Sequence, residues 1–110
     1  MAKTKRSGSR PIRIYILADM EGISGIRRME QVQSDKSDYE EGRRLMMADI
    51  NVAIDAAFLA GATTVIASDT HGGGGQLRLQ DMDSRASYET PGNARMMPSM
   101  NSGFSGLVLV

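Results

Sequence analysis

An α/β fold with an open, mostly parallel sheet and flanking helices, beginning in a βαβ unit, is what this 110-residue chain predicts. Three observations carry the prediction. Two short β-branched, apolar runs, 12–18 and 63–67, read as strands buried on both faces. Between them lies a long segment with one apolar stripe at helical spacing. A crossover of that length joins parallel strands, and such connections are right-handed.

The elements follow in order. Residues 1–11 form a basic segment ending at Pro11 and are expected to be a disordered tail, with residues 12–110 forming the N-terminal part of one α/β domain. Ile12-Arg-Ile-Tyr-Ile-Leu-Ala18 is the first strand. Residues 19–36 mix charges with two glycines and read as a loop. Ser37 and Glu40 have the spacing of a capping box, and Asp38, Glu40 and Glu41 complement the positive end of a helix that starts there. Tyr39, Met46, Ile50, Ala53, Ile54, Ala57 and Phe58 form its apolar stripe, and Gly61 closes it. The predicted span, 38–60, is about 34 Å long at 1.5 Å per residue. Thr63–Ala67 is the second strand, and a Gly run leads to a short helix around Leu77–Met82. Ser87–Thr90 is a candidate short strand, and Gly106–Val110 reads as a further buried one. A core strand that stops at its last apolar residue leaves a free carboxylate at a sheet end, so the chain is expected to be truncated.

Composition excludes more than it assigns. Without cysteine, the chain has no disulfide, thiolate metal site or cysteine nucleophile, and a reducing cytoplasm is the expected location. No run approaches the roughly 18 apolar residues of a membrane helix. The 13 basic and 13 acidic residues cancel. Lys3, Lys5, Arg6 and Arg10 all lie in the first ten residues; without those four, 9 basic residues face 13 acids, about −4. The leader has no apolar core and is not expected to act as a signal peptide. Neither nucleic acid nor a membrane is an expected partner.

The chemistry gathers at the strand ends. Ligands of open parallel α/β sheets bind outside the carboxyl ends of the strands. The first strand runs into Asp19-Met-Glu-Gly22 and the second into Ser68-Asp-Thr-His-Gly72. In extended backbone, residues two apart point the same way, so Asp19 and Glu21 aim together while Met20 packs away. Two neighbouring carboxylates repel, and a cation relieves them. His71, the sole histidine, supplies a nitrogen, and a mixed oxygen–nitrogen set suits Zn, Mn or Fe better than Ca or Mg. The bland alternative is that Asp19 and Glu21 are a turn cap and a surface residue, and that His71 is structural. Asp69 is open to three readings: a ligand, an orienting partner of His71, or a loop cap. The glycines 72–75 fit a flexible turn better than a phosphate cradle, because no Lys-Ser/Thr follows them. Arg27, Arg28, Arg43 and Arg44 can bind an anionic substrate or pair with acids on solvated faces.

The heptapeptide Asp19-Met-Glu-Gly-Ile-Ser-Gly25 after a strand, Tyr39-Glu-Glu-Gly-Arg-Arg-Leu-Met opening a helix, and Ser68-Asp-Thr-His-Gly72 together resemble the D-aminopeptidase family. The likeness runs from residue 12 to 110. It implies a zinc-dependent peptidase that releases N-terminal D-residues from short peptides. It also implies two zinc ions per complete site, with Asp19 bridging them, Glu21 on one and His71 on the other. In the family a further histidine follows the strand ending here at Val110, and a glutamate and a candidate nucleophile lie further on. Members assemble into homo-oligomeric rings. Three protein ligands are few for two zinc ions, so this chain alone is expected to be inactive. A carboxylate–metal phosphohydrolase and a non-catalytic α/β binding module are the alternatives.

Overall fold

The computed structural model describes residues 10–92 and 95–110. The tail expected over 1–11 therefore lies, apart from the exposed Arg10 and Pro11, outside the described residues. Four strands, β1 (Arg13–Ala18), β2 (Thr64–Asp69), β3 (Ser87–Glu89) and β4 (Gly106–Leu109), form one sheet in the order β3-β2-β1-β4. Every pairing is parallel. In β1–β2 the register runs from Arg13 opposite Thr64 to Ala18 opposite Asp69; in β1–β4 it runs from Ile14 opposite Gly106 to Leu17 opposite Leu109. The chain thus winds outward from β1 to one side, then returns to add β4 on the other. Such a reversal opens a crevice at the carboxyl end of the first strand.

One helix, α1 (Tyr39–Leu59), covers one face of the sheet. Met46, Met47, Ile50 and Ile54 are buried against Ile16, Ala18, Val65 and Ala67, with Tyr39, Ala53, Ala57 and Phe58 packed at the border. Each such buried side chain contributes about 2 kcal/mol by removing apolar area from water. The expected Ser37 cap does not form: the helix begins at Tyr39, its N-cap residue is Asp38, and no side chain accepts from its first amides. Asp38 is instead engaged with Arg28 at 3.0 Å, where a full charge outcompetes a backbone amide.

The opposite face is covered by loop. Tyr15, fully buried, meets Phe104 edge to face with centroids 5.3 Å apart, and its hydroxyl donates to Glu89. The Ser68 hydroxyl donates to the Met96 carbonyl at 2.8 Å. β4 differs from its buried expectation: Leu107, Val108 and Leu109 are 46%, 38% and 71% exposed. Its one strand neighbour is β1, and α1 lies over β1 and β2 instead. No helix among the described residues is long and apolar enough to cross a membrane.

Candidate metal centre

The pairing of Ala18 with Asp69 brings both polar strand ends to one edge. The Thr70 amide and hydroxyl both donate to the Ala18 carbonyl, at 2.9 and 2.7 Å, which locks the two chain exits together. Asp19 is extended, as expected, but Met20–Gly22 form a 3-10 turn rather than continuing the strand. The turn still buries Met20 completely and leaves Asp19 and Glu21 facing solvent on one side. On the far side of Asp19, its amide donates to the Val110 carbonyl at 3.2 Å, so the end of β4 also reaches this edge.

His71 closes the cluster. Its Nδ1 lies 3.0 Å from Asp19 Oδ1 and 3.2 Å from Glu21 Oε1, while Nε2 lies 2.7 Å from the Val32 carbonyl. One ligand atom from each of Asp19, Glu21 and His71 falls within 4.8 Å of the others. A carbonyl oxygen only accepts, so Nε2 carries the hydrogen and Nδ1 is left facing two carboxylates. A bare nitrogen lone pair against two anions is repulsive, so a proton or a cation must stand there. In the metal-free chain the surroundings favour the proton. Burial pushes the imidazole pKa down, but the Val32 and Asp19 hydrogen bonds and the charges of Glu21 and Asp19 outweigh it and raise it above the usual value. Burial likewise pushes Asp19 up, yet hydrogen bonding with Glu21 and His71, the His71 charge and the Met20 amide hold it lower than usual. The site is open: the Asp19 and Glu21 side chains are 51% and 61% exposed.

Of the three readings of Asp69, the structure favours the loop cap. Its carboxylate accepts from the backbone amides of His71 at 3.3 Å and Gln76 at 2.7 Å, and from the Gln76 carboxamide at 2.9 Å. It therefore shapes the 71–76 turn and does not meet the imidazole. Gly72, Gly74 and Gly75 adopt φ of 65°, 89° and 97°, as a tight turn requires. The Gly74 amide donates to the His71 carbonyl and the Gln76 amide to Asp69, which closes the run as a turn.

Two residues to which the sequence assigned no role, Gln31 and Gly42, organise the rest. Gln31 is 1% exposed; its oxygen accepts from the Arg27 and Arg28 amides, and its nitrogen donates to the Gly25 carbonyl. Gly42 on α1 lets the helix touch this loop, since any Cβ there would overlap the Gln31 carbonyl oxygen. The loop so fixed delivers the Val32 carbonyl to His71.

The fold and cluster define an α/β protein with an oxygen–nitrogen site in the crevice beside its first strand. Comparison with known proteins is more specific. The family model described as D-aminopeptidase matches residues 12–110, and the chain belongs to that peptidase family. It is 36% identical over 75 residues to a D-aminopeptidase of Bacillus subtilis, covering 68% of this chain and 27% of that protein. Its structure resembles that of the Zn-dependent D-aminopeptidase DppA from Bacillus subtilis, described as a self-compartmentalizing protease. The TM-score is 0.85 at 30% identity, covering 90% of this chain and 37% of that one. The chain thus spans about a third of the length of these relatives. The match favours a peptidase over a phosphohydrolase.

Proposed function

We propose that Asp19, Glu21 and His71 hold zinc, and that the chain supplies this part of the active site of an enzyme that releases N-terminal D-residues from short peptides. The observation that carries the reading is His71 Nδ1 held between two carboxylates while Nε2 is tied to Val32. Zinc, when bound, polarises a peptide carbonyl and acidifies a bound water. The chain's own residues do the positioning. The 3-10 turn at Met20–Gly22 sets the two carboxylates, Val32 sets the ring and its tautomer, and the Asp69–Gln76 bonds hold the turn that carries His71.

A second zinc ion, as the family resemblance implies, needs ligands beyond these three, which supports reading the 110 residues as inactive by themselves. The Asp19 amide donates to the Val110 carbonyl, which ties the residue after β4 to this edge. The description of DppA as self-compartmentalizing supports a homo-oligomer of the complete enzyme. The lack of cysteine supports a cytoplasmic location.

The test is zinc titration by calorimetry of the chain and of its D19N, E21Q and H71A variants. We expect binding by the parent chain, lost at least tenfold in each variant, with circular dichroism unchanged. Equal zinc affinity in all four proteins contradicts the proposal.

A further inference from the structure

Next to the cluster lies a cleft of about 240 Å³ lined by Glu21, Ile26, Arg27, Arg28, Met29 and Val32. It shares Glu21 with the proposed zinc ligands, and it shares Val32, whose carbonyl holds His71. Its wall is apolar at Ile26, Met29 and Val32 and cationic at the two arginines.

The two arginines are not equivalent. The Arg28 guanidinium is engaged by Asp38 at 3.0 Å and Glu41 at 3.2 Å. Arg27 has its backbone amide fixed by Gln31 at 2.7 Å, but among the described residues its guanidinium meets no carboxylate. It is a cation on a pinned loop, lining the same cleft as the Glu21 carboxylate. A zwitterion with separated ends matches that pattern. An unpaired guanidinium presents planar, bidentate donors suited to a carboxylate.

Building on the peptidase reading, in which the bond after the N-terminal residue is cleaved at Asp19, Glu21 and His71, we infer that Arg27 binds the C-terminal carboxylate of a short peptide lying in this cleft. Arg27 is then a specificity-determining residue that selects substrates by their length. Each added residue carries the carboxylate up to about 3.5 Å farther from the amino end. A long peptide therefore cannot place both ends at once.

The experiment titrates the zinc-loaded 110-residue chain with D-alanyl-D-alanine, with its C-terminal amide, and with D-aspartyl-D-alanine amide, followed by calorimetry. The free acid is expected to bind about five- to tenfold tighter than either amide. In R27Q that preference disappears while zinc affinity is unchanged. In R28Q, whose arginine is already paired, the preference survives. Equal binding of acid and amide by the parent chain overturns the inference, as does no detectable binding of either, a preference that persists in R27Q, or D-aspartyl-D-alanine amide matching the free acid. Repeating the titrations without metal separates the two readings. A chain that takes up no zinc yet keeps the Arg27-dependent preference defeats the zinc proposal and leaves the carboxylate site standing.

Discussion

β1 and β4 are made of nearly the same material, Ile-Tyr-Ile-Leu-Ala against Leu-Val-Leu, and lie side by side in register. Their surroundings are opposite. β1 has a strand on each side, α1 over one face, and Tyr15 sealed by Phe104 on the other. β4 has one neighbouring strand and leaves Leu109 71% exposed. An apolar run therefore predicts a strand, while its burial depends on what packs against it. The candidate centre sits at the end of the over-determined strand, where the exits of β1, β2 and β4 are held together by hydrogen bonds.

That contrast can be broken most forcefully in the core. Ile16→Ala, at a fully buried site of β1, is expected to cost about 2–5 kcal/mol in urea denaturation, whereas Leu109→Ala on β4 stays within about 0.5 kcal/mol. Similar losses from both would show β4 to be as buried in solution as β1. Next in size is Gly42→Ala. The added methyl must displace the Gln31 carbonyl, so a loss of about 1–3 kcal/mol is expected, together with weaker zinc binding as Val32 moves. Unchanged stability and zinc affinity in that variant would disconnect α1 from the site.

A smaller effect sharpens the account of the second face. Burial raises the Glu89 pKa, but the hydrogen bonds from the Ser99 hydroxyl, the Tyr15 hydroxyl and the Ser99 amide outweigh it and leave the carboxyl below its usual range. A folded-state pKa below the unfolded one stabilises the fold above the unfolded value and loses that contribution as pH falls through the folded one. The stability gap between the parent and Glu89→Gln should thus be full at neutral pH and shrink below about pH 4.3, the usual glutamate value. A gap that does not change with pH would mean that the Glu89 charge is not engaged. Smallest of all in stability is Leu109→Lys. It should leave the melting curve in place yet reduce self-association through the exposed strand edge, read by light scattering. Unaltered scattering would remove β4 as an adhesive edge.

The comparison also explains how far the sequence could be read. β1, α1, β2 and their parallel pairing were legible because periodicity and β-branching report them directly. Asp19, Glu21 and His71 were legible as candidates because each lies within three residues of a strand's carboxyl end. The Val32 carbonyl was not, since every residue has a carbonyl and only tertiary packing aims this one at His71. Gln31 and Gln76 look like ordinary polar loop residues, and only their burial among backbone groups gives them their roles. The Ser37 cap did not form because the helix starts one residue later than that cap requires, with Asp38 at its N-cap and paired to Arg28. Residues 95–105 carry no period because they form a loop draped over Tyr15 and Ser68.

Nitrogen-15 NMR of the His71 ring during zinc titration addresses the metal centre most directly. On binding, Nδ1 should take the shift of a metal-bound nitrogen while the Nε2 proton stays hydrogen-bonded to Val32, and the Nδ1 change should vanish in D19N. Zinc that attaches through Nε2, or an imidazole spectrum untouched by stoichiometric metal, would contradict the account.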